Sequence, residues 1–228
     1  VTKVPRFNFE KFPEASAALT TQMKSVGEAM AIGRTFQESF QKALRSLETG
    51  RFGWGCDRKE ADQTPPSDEA LRHGLTVPGP ERIFLIRRAF LAGYTVEDVA
   101  RITSIDPWFL VQLRGLLDCE AGLRAHGTLA ALPDEVLRDA KRRGFSDHQI
   151  GRVFGLPEKE VRADRLRRQI KPVYKLVDTC AAEFEAATPY YYSTYEEEDE
   201  LRPAKKPRIV VLGGGPNRIG QGIEFDYC

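Results

Sequence analysis

The fold is decided by Ala92-Gly-Tyr-Thr-Val-Glu-Asp-Val-Ala-Arg-Ile102, a stretch that recurs 51 residues later as Arg143-Gly-Phe-Ser-Asp-His-Gln-Ile-Gly-Arg-Val153. In each copy a glycine and an aromatic residue precede a Thr or Ser, and apolar residues then follow on one helical face. A Thr or Ser there is typical of a helix N-cap, and Ser146 with Gln149 has the spacing of a capping box. The pattern predicts one unit used twice: a helix ended by glycine, a tight turn and a second short helix.

A stripe of large apolar side chains follows the first copy. It recurs at helical spacing over Trp108, Phe109, Leu110, Leu113, Leu116 and Leu117. Such a stripe usually packs in the core of its own chain, and where it is exposed it marks a contact with another subunit. We therefore take the core as the default and name Trp108, Leu110 and Leu113 as candidates for an oligomer interface.

The second copy also has the pattern of a helix-turn-helix, whose second helix would enter the DNA major groove. Gly155 would lie in the turn, and four arginines would lie on the second helix: Arg162, Arg165, Arg167 and Arg168. Acidic residues interleave with them and weaken any phosphate-binding face: Glu158, Glu160 and Asp164. We expect a helical packing unit with a solvated charged face and no nucleic-acid partner.

The N-terminal flank has α/β character. Residues 28–32 are a short apolar run ended by Gly33, which predicts a strand. Thr35 and Glu38 then have capping-box spacing, and apolar residues follow at helical spacing up to Leu47. Residues 50–80, rich in Gly, Pro, Asp and Arg, indicate a linker with at most short helical pieces.

The C-terminal end carries a second α/β signal, after a polar connector over residues 171–208 that is acidic at 196–200. Residues 209–212 predict a buried strand, and residues 213–215 are a glycine turn. No Lys-Ser or Lys-Thr follows, as a Walker A loop requires, and Arg218 stands where the dinucleotide fingerprint has its third glycine. The turn indicates either a strand-to-helix junction near a ligand or a purely structural turn. Because a domain begun here would be unfinished, we expect an interior part of a longer protein.

Composition limits the class of protein. The 228 residues include 34 Lys and Arg against 33 Asp and Glu, and 41% are hydrophobic. This balance does not require nucleic acid or an anionic membrane as partner, and no apolar run of about 18 residues predicts a membrane span. Three histidines share no metal-like spacing: His73, His126 and His148. The scattered cysteines suggest free thiols in a reducing compartment: Cys56, Cys119, Cys180 and Cys228.

Three blocks of sequence resemble the large subunit of carbamoyl-phosphate synthases. They are Lys3-Val-Pro-Arg-Phe-Asn-Phe-Glu-Lys-Phe12 with Leu19-Thr-Thr-Gln-Met-Lys-Ser-Val-Gly-Glu28, then Pro172-Val-Tyr-Lys-Leu-Val-Asp-Thr-Cys-Ala-Ala-Glu-Phe184, then Leu212-Gly-Gly-Gly-Pro-Asn-Arg-Ile-Gly-Gln-Gly-Ile-Glu-Phe-Asp-Tyr-Cys228. The blocks stand in the family's order and cover the ends of the chain densely and the middle loosely.

The resemblance implies a mainly α fold, with a helical oligomerisation domain flanked by partial α/β pieces. Residues 1–50 would end the first ATP-grasp domain, 51–190 would be the oligomerisation domain with its linker, and 191–208 a connector. Residues 209–228 would begin the Rossmann-like pre-ATP-grasp domain of the second synthetase half. The alternative is a helical module for binding protein or nucleic acid, fused to a nucleotide-binding fold.

The resemblance also implies an activity. The parent would be a cytoplasmic ligase that makes carbamoyl phosphate from bicarbonate, glutamine-derived ammonia and two ATP, with Mg²⁺ or Mn²⁺, for arginine and pyrimidine synthesis. Its partners would be a glutaminase small subunit, the rest of the large subunit and a second copy that binds through the helical domain. No membrane partner is expected. No complete catalytic set and no metal ligand would lie in this chain, so it should be inactive alone.

Some residues acquire a role from the resemblance. Arg218 and Glu224 match residues that line a tunnel for carbamate between two active sites, where a paired cation and carboxylate would guide an unstable anion and exclude water. A structural carboxylate is the alternative for Glu224. The glycine turn near a ligand comprises Gly213, Gly214, Gly215 and Asn217. Thr20 and Thr21 would contact a nucleotide phosphate or merely cap a turn.

Overall fold

Two small antiparallel sheets flank a series of helices in the computed structural model, which describes residues 1–62, 64–185, 190–202, 207 and 209, and the backbone of residues 217–218. The strands are β1 (Thr2–Arg6), β2 (Gly27–Ala31), β3 (Val173–Leu176), β4 (Tyr191–Thr194) and β5 (Asn217–Arg218). One sheet has the order β1-β2-β5, and β3 pairs with β4 in the other.

The helices occupy the middle of the chain, as the periodicity predicts, and the mainly α class is confirmed. In the described residues they are α1 (Phe36–Ser46), α2 (Arg58–Ala61), α3 (Asp68–Thr76), α4 (Arg82–Leu91), α5 (Val96–Thr103), α6 (Pro107–Ala125), α7 (Asp134–Arg142), α8 (Asp147–Phe154) and α9 (Glu158–Arg167). A single 3₁₀ turn, Phe9–Lys11, follows β1.

The predicted strand and helix of the N-terminal flank form β2 and α1. β1 runs antiparallel to β2, with Thr2 opposite Ala31. The Thr35 hydroxyl accepts the Glu38 N–H at 3.2 Å, which caps α1. The Glu38 carboxylate accepts the N–H of Arg34, at 2.7 Å, where a full capping box would use the N–H of Thr35. Glu38 therefore fixes the turn between β2 and α1.

The sequence repeat is a structural repeat of α4–α5–α6 and α7–α8–α9. Gly93 and Gly144 end the first helix of each copy with φ of +93° and +87°, which a side chain would strain. Thr95 and Ser146 each make a complete capping box at the start of the second helix. The glycines and capping residues identified in the sequence are thus found at the predicted turns.

One hydrophobic core joins the helices, with α6 along its centre. Leucines on one face of α6 pack near α1, α4, α5, α7 and α8, and they belong to one buried cluster that also includes side chains of α3 and α9. Burying a Leu or Phe side chain contributes about 1.5–3 kcal/mol, so each of these leucines stabilises the core. No helix among the described residues is long and apolar enough to cross a membrane.

Two elements differ from the sequence expectations. The 50–80 segment contains α3, a nine-residue helix, because Ser67 caps its start at 3.2 Å and Leu71 and Leu75 pack into the core. The connector contains the β3–β4 hairpin. Its two four-residue strands are too short to give a clear alternating pattern, so composition alone indicated only a polar connector.

Candidate functional site

A row of aromatic rings leads from the core to the surface where α1 meets α6. The buried Trp54 ring meets the Phe40 ring edge to face, with 6.2 Å between the ring centroids. The Phe40 ring stacks on that of Phe36, with 5.5 Å between centroids. Phe36 then meets Trp108 at 5.5 Å and Phe109 at 5.4 Å, both edge to face. Pairs of this geometry contribute about 0.5–1.5 kcal/mol beyond burial. The outermost rings are therefore held in fixed orientations.

The start of α6 presents the outer end of this row to solvent. The Asp106 carboxylate accepts the Trp108 N–H at 2.8 Å, and Pro107 occupies the first helical turn. Exposed fractions are 53% for Trp108, 45% for Phe109 and 53% for Val111. We call these three side chains the aromatic patch. Large, rigid apolar side chains on a helix are typical anchors of protein–protein contacts.

Leu110 and Leu113 do not belong to this surface, which corrects the predicted interface set. They are 0% and 3% exposed and pack in the core. A helix turns by 100° per residue, so Trp108 and Val111 share the outer face while Leu110 and Leu113 share the inner one. The apolar stripe runs through both faces at its start, and the sequence alone does not separate them. Of the three predicted interface residues, only Trp108 is available to a partner.

A buried ion cluster fixes α6 against its neighbours. Arg87 on α4 contacts Glu60 on α2 at 2.5 Å and Glu120 on α6 at 2.7 Å, and Arg124 contacts Glu120 at 2.8 Å. Burial lowers the pKa of Arg87, but hydrogen bonds and charges from both glutamates outweigh this and raise it. Arg87 therefore stays charged between the buried Glu120 and the half-buried Glu60. Its contacts align α2, α4 and α6, and with them the aromatic patch.

The cysteines near this cluster are chemically protected. Burial raises the pKa of the Cys56 thiol well above its usual range and that of Cys119 to about 12. Because the thiolate is the reactive form, both thiols are poor nucleophiles and metal ligands. Cys56, Cys119 and Cys180 are free, as expected, and Cys228 lies outside the described residues.

Of the four arginines in and directly after α9, Arg162 and Arg167 are exposed, and the other two face the protein. Arg165 binds both carboxylate oxygens of Asp147, at 2.9 and 2.8 Å, and its side chain is buried. Arg168 is equally buried and contacts Asp134 at 2.9 Å and Asp164 at 2.7 Å. The expected solvated charged face is therefore partly wrong, because these two guanidinium groups hold α9 to α8 and α7. They are not free to meet phosphates.

The remaining predicted site residues are not brought together. Thr20 and Thr21 are exposed, and the Thr20 hydroxyl accepts the Gln22 N–H at 3.3 Å, as a turn cap does. Asn217 and Arg218 are described as backbone only, paired with Glu28 and Gly27. Residues 213–215 and Glu224 lie outside the described residues. In the described part of the chain, no three His, Cys, Asp or Glu side chains converge as metal ligands would.

Sequence reasoning missed a buried charged pair on α1. Lys42 lies 2.8 Å from Glu38, whose side chain is almost fully buried. Glu38 also accepts the Thr194 hydroxyl, at 3.1 Å, from the β3–β4 hairpin. The only sequence signal was the four-residue spacing of Glu38 and Lys42, which is also the spacing of ordinary surface pairs. Its importance depends on a contact 156 residues away.

Comparisons with known proteins agree with this architecture. The family model described as "Carbamoyl-phosphate synthetase large chain, oligomerisation domain" matches residues 28–170, and that of the carbamoyl phosphate synthase preATP-grasp domain matches residues 205–228. The carbamoyl phosphate synthase large chain of Rhodopirellula baltica is 62% identical over 232 residues, which cover 100% of this chain and 21% of the relative.

Other relatives extend the match. The arginine-specific large chain of Oryza sativa subsp. japonica, named as chloroplastic, is 57% identical over all of this chain and 19% of its own length. The large chain of Archaeoglobus fulgidus is 50% identical over all of this chain and 21% of its own length. The chain thus spans about a fifth of the curated relatives it matches. By the 143-residue helical match and these identities, the chain belongs to the carbamoyl-phosphate synthetase large-chain family, as its oligomerisation-domain region.

Proposed function

We propose that the chain is the central scaffold of a carbamoyl-phosphate synthase large chain. The match of the whole chain to about a fifth of relatives of that name supports this. The parent would make carbamoyl phosphate from bicarbonate, glutamine-derived ammonia and two ATP, for arginine and pyrimidine synthesis in the cytoplasm. A glutaminase small subunit would supply the ammonia. ATP and Mg²⁺ or Mn²⁺ would be held by other parts of the large chain, of which this chain spans about a fifth.

The chain alone should have no turnover. Phosphoryl transfer needs a nucleotide and metal held in line with the acceptor, and this chain spans only about a fifth of its relatives. The test is the purified chain with ATP, Mg²⁺, bicarbonate and ammonia. Carbamoyl phosphate formed above background would overturn the proposal that this region is a scaffold.

The scaffold role that the geometry supports best is self-association through the aromatic patch. The carrying observation is that Trp108, about half exposed, stands on a row of rings anchored in the core. A rigid anchor loses little conformational entropy on binding, which favours affinity. The description of the matching family, an oligomerisation domain, supports the same role.

Sedimentation equilibrium of the 228-residue chain tests this role. The wild-type mass should rise with concentration, and Trp108→Glu should remain monomeric. A glutamate is well tolerated in the first turn of a helix, so α6 should still form. The matched control is Phe184→Glu, at an exposed aromatic residue outside the patch, which should associate like wild type. A monomeric wild type, or equal association of Trp108→Glu, would reject the patch as interface.

Within an intact parent enzyme, Arg218 and Glu224 would guide carbamate between the two active sites. Glu224→Ala should then leave bicarbonate-dependent ATP hydrolysis and ATP synthesis from carbamoyl phosphate largely in place. Carbamoyl phosphate formed per ATP hydrolysed should fall, because delayed carbamate decomposes. Parallel loss of all three activities with a lowered melting temperature would instead assign Glu224 a structural role.

A further inference from the structure

The end of the β3–β4 hairpin is attached to α1 by buried polar contacts. The Thr194 hydroxyl donates to the Glu38 carboxylate at 3.1 Å, and both residues are nearly inaccessible to solvent. Lys42 donates to the carbonyl of Ser193 and, at 3.0 Å, to that of Ile32. The same carboxylate of Glu38 holds the turn before α1. Hairpin and turn therefore share one buried acceptor.

The next residue, Tyr195, is held by side chains of α7 and α9. The Tyr195 ring lies 5.1 Å from the ammonium group of Lys141 on α7 and 5.9 Å from the guanidinium group of Arg165 on α9. Arg142 donates to the Tyr195 carbonyl at 3.1 Å. The ring also packs against the hydrophobic core. Cations close to an aromatic face are attracted to it, more strongly where water is excluded.

An outer pair of contacts continues the attachment. Arg34 donates to Glu196 at 3.2 Å and to the Tyr192 hydroxyl at 3.4 Å, both at exposed positions. Exposed pairs of this kind contribute little to stability, so the buried contacts of Thr194 and Tyr195 must provide most of the attachment. All these contacts fall within five consecutive residues, 192–196.

The helical units do not need this segment to stay together. Gln41 on α1 donates to the Arg143 carbonyl at 3.1 Å, and Arg45 donates to the Gly144 carbonyl at 2.6 Å. α1 and the α7–α8 turn are thus joined by hydrogen bonds that do not involve residues 192–196. The hairpin, by contrast, has only two strands, and an isolated two-stranded hairpin is marginally stable in water.

We propose that residues 192–196 form a clasp that fastens the β3–β4 hairpin across α1 and the α7–α9 unit, so that the hairpin opens and closes as one element controlled by Glu38 and Tyr195. The clasp fixes the direction in which the chain continues beyond Glu196. A disturbance at the start of α1 reaches the hairpin through Glu38. This inference concerns contacts within the chain and does not rest on the proposed enzyme activity.

Hydrogen–deuterium exchange of the whole chain, followed peptide by peptide, tests the clasp. Thr194→Val and Tyr195→Ala should each speed exchange of the β3–β4 amides by about tenfold or more while α6 amides keep wild-type rates, as expected for local opening. Glu38→Gln on α1 should loosen the same hairpin amides, because it weakens the shared acceptor.

Two further variants keep the result interpretable. Tyr174→Ala removes an exposed ring from β3 itself and should leave hairpin exchange unchanged. Tyr195→Phe retains the ring and should behave like wild type. Unchanged hairpin exchange in Thr194→Val and Tyr195→Ala would overturn the proposal. So would equal acceleration in α6, since Tyr195 would then be an ordinary core residue whose loss destabilises the whole fold.

Discussion

Replacing Lys141 with Met should abolish a pH-dependent gain in stability. The Lys141 ammonium group is buried, 2.8 Å from the Asp147 carboxylate and 2.6 Å from the Phe145 carbonyl. Burial lowers its pKa to about 8, although Asp147 opposes the shift. Arg165 and Arg45 add to the lowering. The folded chain therefore holds this proton less tightly than the unfolded chain does.

The sign follows from proton linkage. An unfolded lysine has a pKa of about 10.4, so between pH 8 and that value the unfolded state binds more protons. The free energy of unfolding must then rise with pH. Below pH 8 the full cost of charging a buried amine is present, and deprotonation relieves it above pH 8. Between pH 7 and 9 the relief is on the order of 1 kcal/mol, because one pKa unit corresponds to about 1.36 kcal/mol.

Urea denaturation followed by circular dichroism at pH 7, 8 and 9 measures this gain. Met is similar in length and carries no charge, and Asp147 keeps its two contacts with Arg165. Buried Cys56 and Cys119 have raised pKa values, so their ionisation in the unfolded state lowers stability in the same pH range.

The difference between wild type and Lys141→Met is therefore the quantity to follow, since both proteins share those thiols. Relative to the variant, wild type should gain on the order of 1 kcal/mol from pH 7 to 9. Lys159→Met, at an exposed lysine on α9, should run parallel to wild type. If Lys141→Met also runs parallel to wild type, the lowered pKa of Lys141 and the reasoning from its burial are refuted.

Three further outcomes are expected. Arg87→Met should lower the free energy of unfolding by about 3–5 kcal/mol in urea, because the buried Glu120 and the half-buried Glu60 lose their shared partner and Glu120 keeps only the partly exposed Arg124, whereas the exposed Arg101→Met should change it by less than about 0.5 kcal/mol. Leu110→Ala should cost about 2–5 kcal/mol and Trp108→Ala clearly less, and equal losses would contradict the division of α6 into a core face and an exposed patch. Fluorescence anisotropy should show duplex DNA binding no stronger than that of a neutral protein of this size, and tight, salt-sensitive binding would restore the nucleic-acid alternative.

Much of the helical architecture could be predicted because its signals are local. A capping residue, a glycine with positive φ and apolar spacing act within one or two turns, so the repeat at residues 92–102 and 143–153 is readable from sequence. The strand before Gly33 and the helix after Thr35 were readable for the same reason. These local patterns therefore determine the helices, the turns and the strand largely independently of the rest of the chain.

The candidate sites depended on contacts that no local pattern contains. Which face of α6 is buried is decided by the helices packed around it, so Leu110 could be mistaken for an interface residue. Arg165 could be mistaken for a solvated charge because its partner, Asp147, lies on another helix. Glu38 acquires its second partner from β4. In each case the residue type was visible and its environment was not.

The two copies of the repeat show how one local pattern can support different roles. After the glycine, the N–H of Tyr94 binds the Ala89 carbonyl at 3.0 Å, and the N–H of Phe145 binds the Ala140 carbonyl at 3.0 Å. The turns are thus built alike. The third helices then diverge, since α6 has 19 residues and α9 has 10.

The length of the third helix decides what each copy can do. The 19-residue α6 is long enough to cross the core and still extend its first turn to solvent, where it carries the aromatic patch. The shorter α9 carries the buried Arg165. This arginine pairs with Asp147 and lies close to the Tyr195 ring. If the aromatic patch is an interface and residues 192–196 are a clasp, the first copy of the repeat contacts a second chain. The second copy then contacts residues 192–196 of its own chain. Trp108→Glu should then abolish association without loosening the hairpin, and Tyr195→Ala should loosen the hairpin without abolishing association. A single variant that did both would show that the two copies act as one unit.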